Sequence, residues 1–190
     1  PYGSYSPAKL LEFLRNHRLA RAPGAEYEYS NLGMGLLGFA LSHKRAQSYE
    51  QMVQELICTP LGLKDTVVNP SDSQQARLAK GYSVSSVEGG ELIGFGLAPW
   101  QLQDSTAGAG ALRSTGLDLV KFMAANLGVM QTSISAQLEA THAVRHRISD
   151  ELDMGMGWHE IREVTGLDGP FIWHNGEPGG FSSIMAFHKP

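Results

Sequence analysis

Two short stretches carry residue types suited to acid–base chemistry. The first is Pro23-Gly24-Ala25-Glu26-Tyr27-Glu28-Tyr29-Ser30-Asn31-Leu32-Gly33, where a Pro-Gly turn and two tyrosines two residues apart lead into an apolar, glycine-spaced run. Ser30 or Asn31 can cap a helix that begins there. With the cap at Asn31, Tyr29 lies just ahead of the helix and its phenol can face a cavity, as a catalytic tyrosine must. An ordinary anchoring tyrosine would sit in the same place, and Tyr27 is an equal candidate. The second stretch is Trp173-His174-Asn175-Gly176-Glu177-Pro178-Gly179-Gly180-Phe181. A histidine at the end of an expected strand, followed by Asn-Gly and then Gly-Gly, sets a titratable ring beside backbone amides that no side chain shields. Such amides can act as oxyanion donors. The same residues also spell a plain β-hairpin, because Asn-Gly is a common turn.

Other candidates are weaker. Cys58 is the single cysteine and sits in Leu56-Ile57-Cys58, so it forms no internal disulfide and reads as a buried thiol. His142 and His146 are four apart and could face one way as metal ligands. No third ligand accompanies them, and with Arg145 and Arg147 they read as an exposed polar face, so no metal is expected. Trp100 and Trp158 read as core or pocket walls. Ser182 and Ser183 follow glycines but lack a Gly-x-Ser-x-Gly elbow and read as strand residues.

The elements that must position these residues are marked by local signals. Ser6-Pro7 starts a first helix with Leu10, Leu11 and Leu14 on one face, ending near His17-Arg18. A second helix runs from about Leu32 to Ser42; its glycines cost helix propensity unless they allow close packing, so it is expected to be buried. Ser48-Tyr49-Glu50-Gln51 is a capping box for a third helix with Met52, Val53, Leu56 and Ile57 inward, ended by Pro60-Leu61-Gly62-Leu63. Thr66-Val67-Val68 reads as a short strand, Glu88-Gly89-Gly90-Glu91 as a loop, and Leu92 to Leu97 as extended. Ala107-Gly108-Ala109-Gly110 is a small-residue loop open to close approach by backbone or ligand. Thr115 to Asp118 resembles a capping box and opens a helix with Leu117, Val120, Met123, Ala124 and Leu127 inward. A helix over Ser135 to Val144 and a polar link follow. Gly155 to Ile161, Phe171 to His174 and Phe181 to Phe187 then read as strands. Helices followed by antiparallel strands give an α+β class.

At 190 residues, 42% hydrophobic and 18% charged, the chain has the size of one domain and the composition of a soluble globular protein. A net charge of -4 without a basic cluster gives no footprint for nucleic acid. No apolar run approaches the roughly 20 residues of a membrane span. The chain opens on Pro1 and stops at His188-Lys189-Pro190, directly after an expected strand. It is expected to be an excerpt from a longer protein, so the absence of a signal peptide says nothing of compartment.

Together these stretches resemble the class C β-lactamase and serine DD-peptidase superfamily, which includes related serine esterases. Tyr29-Ser30-Asn31 is similar to its Tyr-x-Asn motif and His174-Asn175-Gly176 to its Lys/His-Thr-Gly motif. Pro23-Gly24, Pro60-Leu61-Gly62-Leu63-Lys64-Asp65-Thr66, Ala79-Lys80-Gly81-Tyr82, Ala109-Gly110-Ala111-Leu112-Arg113-Ser114-Thr115 and Gly179-Gly180-Phe181-Ser182 follow in the family's order.

The resemblance implies an α+β fold in which a helical subdomain packs on part of an antiparallel β-sheet, incomplete at both ends. The expected layout is one partial domain over 1–190, mainly helical to about 150 and sheet strands from about 151. It implies a serine hydrolase, in which a serine with a lysine one helical turn later attacks a β-lactam, D-Ala-type peptide or ester; residues three apart share a helix face. Tyr29 would be the base or proton shuttle. Asn31 would bind the substrate amide or hold the lysine, and His174 would supply a positive or hydrogen-bonding edge. Asn175, Gly176 and the backbone N–H of Glu177 would face the substrate and its oxyanion. Asn175 stands where threonine is usual, which puts a preference for β-lactams or DD-peptides in question.

Ser6-Pro7-Ala8-Lys9 matches the Ser-x-x-Lys string, but that segment aligns with the family's surface helix before the tyrosine, so the nucleophile is expected upstream of Pro1. The implied partner is a small-molecule or peptidoglycan-type substrate, with no cofactor, and the implied compartment is periplasmic or secreted. An open sheet edge would favour self-association. The alternative is a non-catalytic, peptidoglycan-binding or self-assembling member of the same fold.

Overall fold

Side chains that stand in for missing backbone partners begin most of the helices. The structure, a computed structural model, describes residues 3–86 and 92–189. Ser6 accepts from Lys9 N at 3.4 Å to start α1 (Pro7–Asn16), and Ser30 from Gly33 N at 2.9 Å to start α2 (Asn31–Lys44). Ser48 and Gln51 form the reciprocal capping box of α3 (Tyr49–Val53). A π-turn (Gln54–Cys58) carries α3 into α4 (Thr59–Leu61), which Gly62 ends in the left-handed region at φ 62°. Ser71 and Gln74 cap α5 (Asp72–Gln75). Thr115 caps α6 (Gly116–Asn126), and α7 (Ser135–His142) follows.

Four helix faces differ from the sequence expectation. The extra residue of the π-turn rotates the inward stripe, so Cys58 and Leu61 join Met52 and Val53 in the core while Leu56 is exposed. Burial pushes the Cys58 thiol pKa up. In α2 the buried stripe is Gly35, Gly38 and Ser42, and Met34, Leu37 and Leu41 face outward. In α6 the buried residues are Asp118, Ala125 and Asn126, with Leu117, Val120 and Leu127 exposed. The reason lies in Asp118, whose Oδ2 accepts from Asp65 N at 2.7 Å and Thr66 Oγ1 at 3.0 Å and so turns that face inward. Burial opposes its ionisation, but these hydrogen bonds outweigh it and hold the carboxyl below its ordinary pKa. On α1, Leu10 is buried, but Leu11 is exposed.

The glycine-rich stripe of α2 meets a 3₁₀ turn (Ala107–Ala109). A Cβ on Gly108 would lie 2.6 Å from the Met34 carbonyl oxygen, and one on Gly38 would lie 3.0 Å from Gly108 Cα and from the Tyr49 ring. The small-residue loop is therefore approached by helix backbone.

The strands form two sheets. β1 (Gly81–Ser86) and β2 (Leu92–Leu97) pair antiparallel, and the loop read at Glu88–Glu91 lies outside the described residues. The larger sheet is antiparallel in the order β3 (His146–Arg147), β4 (Leu152–Met154), β5 (His159–Ile161), β6 (Phe171–Gly176), β7 (Ser183–His188). β3 and β4 occupy the stretch read as a polar link and the residues just after it. The strand expected from Gly155 starts only at His159, because Gly155 N bonds Trp158 O at 2.8 Å and Gly157 turns at φ 81°. Thr66–Val68 makes only a bridge, Val67 to Arg113. β6 and β7 form a hairpin, but Asn175 and Gly176 are not its turn: they pair with Ile184 and Ser183, and residues 177–182 make the connection.

Trp158, Ile172 and Phe187 bind the sheet to the helices, with Phe122 and Met123 of α6 packed against them. His142, read as part of an exposed polar face, is 7% exposed and stands edge-on to Trp158 and Phe187. Its Nε2 pairs with Asn126 Oδ1 at 2.8 Å and its Nδ1 with Lys189 Nζ at 3.2 Å. His146 is exposed on β3, so the two histidines share no helix face. Burial, and then the Lys189 charge, lower the His142 pKa.

Two outcomes follow from this packing. Gly108→Ala should destabilise the chain by about 1–3 kcal/mol through overpacking; Gly116→Ala, with open space around its Cβ, should change stability by less than about 0.5 kcal/mol. Urea melts of both variants check this. Because the folded pKa of His142 lies below the unfolded value near 6.5, the unfolded chain binds the extra proton and stability falls as pH drops through that region. Unfolding at pH 7.5 and 5.5 should show a smaller loss for His142→Gln than for the unsubstituted chain, and equal losses would remove His142 as the cause.

Candidate active site

The start of α2 separates residues that the sequence leaves equivalent. Ser30 Oγ takes the Gly33 N–H, so Ser30 is the cap and Asn31 is the first helical residue. The Asn31 side chain is thereby released from capping, and Tyr29 Oη donates to its Oδ1 at 3.2 Å. Tyr29 is 58% exposed, ahead of the helix and outside its hydrogen-bond ladder. Tyr27 instead stacks on His146 at 6.4 Å, and burial, followed by the nearby Tyr29, raises its phenol pKa. Arg21 pairs with Glu26 and Glu28 and holds the segment that carries both tyrosines.

His174 lies on β6 opposite Met185, two residues beyond the buried Ile172. Asn175 and Glu177 are exposed and Gly176 is half-buried, at the end of the strand and just past it. The loop that follows is fixed by backbone. Phe181 N bonds Pro178 O at 3.2 Å, and Gly180 O accepts from Tyr82 N at 2.9 Å. Gly179, at φ 48°, lies against the Trp100 ring, where a Cβ would come within 2.6 Å of Cδ1. Trp100 thus walls the loop after His174, whereas Trp158 is core.

One residue not singled out in the sequence joins this group. His159, opposite Trp173 in the register, stacks on it at 4.6 Å and stands 5.5 Å from the His174 ring. Burial, and then the His174 charge, lower its pKa. Only strand register could have brought it into view.

The structure therefore joins Tyr29 to Asn31 and clusters His174 with His159 and Trp173. Among the described residues no hydrogen bond links the two groups. Ser6 is engaged as the cap of α1, with the Lys9 backbone N–H as its donor. No helix of the described residues is long and apolar enough to cross a membrane.

Helices packed on this antiparallel sheet form the class C β-lactamase fold: a class C beta-lactamase superposes with a TM-score of 0.80 at 20% identity, over 96% of this chain and 55% of that one. The D-alanine carboxypeptidase AmpC from Burkholderia cenocepacia gives 0.81 at 22% identity, over 99% and 60%. A Beta-lactamase family model matches residues 1–189, and the chain belongs to that family. It is 29% identical over 187 residues to D-alanyl-D-alanine-carboxypeptidase/endopeptidase AmpH of Escherichia coli (strain K12), covering 92% of this chain and 45% of the relative. It is 24% identical over 160 residues to a beta-lactamase of Pseudomonas fluorescens, covering 83% and 42%. The chain spans about half the length of the curated relatives it matches.

If Tyr29 and Asn31 are not there for stability, Tyr29→Phe should shift the unfolding free energy by no more than about 0.5 kcal/mol. Ser30→Ala, which removes the cap, should cost about 1 kcal/mol. Parallel thermal melts separate the two cases.

Proposed function

We propose that this chain supplies the tyrosine and histidine side of a serine-hydrolase active site. The whole protein would act through an acyl-enzyme on β-lactams, D-Ala-type peptides or esters. The observation that carries this reading is the Tyr29 Oη to Asn31 Oδ1 hydrogen bond at the mouth of α2, in a chain of the Beta-lactamase family.

In the proposed reaction a serine outside this chain attacks the carbonyl carbon. Tyr29 acts as a proton relay: its Oη receives the serine proton as the Oγ–C bond forms, while its own phenol proton passes to the leaving nitrogen or oxygen as that bond breaks. The backbone N–H of Glu177 and that of the serine hold the oxyanion. His174 and Asn175 present hydrogen-bonding groups beside Gly176, which leaves room for substrate against the strand. Asn31 has an amide N–H pair to hold a substrate carbonyl, or an oxygen to hold the lysine of the Ser-x-x-Lys helix. The printed names of the relatives, a D-alanyl-D-alanine carboxypeptidase/endopeptidase and a D-alanine carboxypeptidase, support a peptidoglycan-type substrate and a periplasmic or secreted location. Self-association through the sheet edge belongs to the same proposal, supported by the position of β7 at the end of the strand order with Ile184 exposed.

The test uses the protein expressed from its complete coding sequence. Tyr29→Phe should lower the rate of acylation by a fluorescent penicillin, or of hydrolysis of a D-alanyl-D-alanine peptide, by about 10²–10⁴-fold. His174→Asn should lower kcat/KM for the same substrates. Undiminished acylation and hydrolysis in Tyr29→Phe would overturn the reading. The 190-residue chain alone is expected to show no turnover of a p-nitrophenyl ester above buffer; turnover abolished by Ser6→Ala would instead assign the nucleophile to α1.

A further inference from the structure

Two buried side-chain polar atoms among the described residues lack a hydrogen-bond partner, His159 Nδ1 and Trp173 Nε1. They belong to residues directly opposite each other on β5 and β6, with rings nearly parallel at 4.6 Å and 22°. The same imidazole reaches to 5.5 Å from the His174 ring. Among the other described residues buried polar side chains are tied: Asp118 by Asp65 and Thr66, Asp153 by Arg162, His142 by Asn126 and Lys189. Leaving buried polar atoms unpaired costs stability, so packing alone gives no reason for an imidazole at position 159. A phenyl ring would fill the same stack without that cost.

We propose that His159 is a positioning residue for His174: braced on Trp173, it sets the His174 imidazole from the β5 side. The inference rests on the role proposed above for His174.

The physical basis is the closeness of two ionisable rings. Two imidazoliums at this separation would repel, so a charge on one ring disfavours a charge on the other. Burial already disfavours a charge on His159, and His174 disfavours it further. Its register partners, Met154 on β4 and Trp173 on β6, carry no charge. The carboxylates of these strands, Asp153 and Glu160, pair with each other at the alternate register position, on the face away from His159, which by the same alternation is the face from which the His174 ring reaches to 5.5 Å of His159. Asp153 is further engaged by Arg162 at 2.6 Å. His159 is therefore held toward its neutral form beside His174.

The experiment uses the complete protein with His159→Phe, which keeps a ring on Trp173 and removes both nitrogens, in the unsubstituted and His174→Asn backgrounds. For hydrolysis of a D-alanyl-D-alanine peptide, His159→Phe should lower kcat/KM about tenfold in the first background, by misplacing His174. It should have no effect in the second, because residues that act through one another are not additive. An equal loss in both backgrounds, or no loss in the first, overturns the inference. A His174→Asn variant with full activity overturns the role of His174 itself, which separates the two failures. Imidazole NMR supplies a readout independent of turnover and of the folding of His159→Phe. In His174→Asn the His159 ring should titrate at a higher pH than in the unsubstituted protein, and an unmoved titration overturns the pairing.

Discussion

The backbone of α2 lies directly against the backbone of the Ala107–Ala109 turn, and much of the molecule is set by that contact. No side chain separates them: Gly35 faces Thr106 Cα, Gly38 faces Gly108, and Gly108 faces the Met34 carbonyl oxygen. Close packing tolerates no added carbon at such a seam. The turn is held at its other end by Ser105, which donates to Tyr5 O, and by Gln103, which donates to Gly3 O at 2.9 Å, so α1 is tied to the same unit. Beyond the turn, Val67 and Arg113 bridge, and Arg113 bonds Val68 O and Trp100 O. Trp100 in turn walls Gly179. A continuous run of contacts therefore leads from the helix headed by Tyr29 to the loop that follows His174.

Buried polar groups set the orientation of the remaining elements. Asp118 fixes α6 on the Asp65–Thr66 segment, and Lys121 Nζ bonds Gly62 O at 2.7 Å one turn further along. His142 and Asn126 pin α7 to α6 beneath Trp158 and Phe187. These directional contacts fix rotation about the helix axis, which hydrophobic burial specifies loosely. Their consequence is an apolar groove of about 470 Å³ between α6 and β7, lined by Val120, Met123, Leu127, Val129 and Ile184.

What the sequence reveals follows from how local each signal is. The caps at Ser6, Ser48 and Thr115 are legible because donor and acceptor lie three residues apart. The break at Gly62 is legible because few other residues adopt its φ readily. The inward face of α6 is not legible, since the apolar period points to Leu117 and Val120 while Asp118 answers to residues 65 and 66. The π-turn leaves no signal in the pattern and displaces Leu56. His142 and His159 share one difficulty: a histidine's burial is decided by strands and helices distant in sequence. Compact motifs single out Tyr29, Asn31 and His174 in the sequence, but the division of labour between Ser30 and Asn31 rests on the hydrogen bond to Gly33.

That division bears directly on what Tyr29 can do. A serine hydroxyl at the cap satisfies the Gly33 N–H, which leaves the longer side chain of Asn31 unspent at the first helical position. Its carbonyl oxygen accepts the Tyr29 hydroxyl at 3.2 Å, which anchors the phenol at the head of the helix. Had Asn31 served as the cap, its oxygen would have been committed to the helix and the phenol would have lost this anchor. The cap at Ser30 and the anchor at Asn31 together hold an exposed phenol in one place at the head of α2, because each backbone and side-chain group there answers to a single partner.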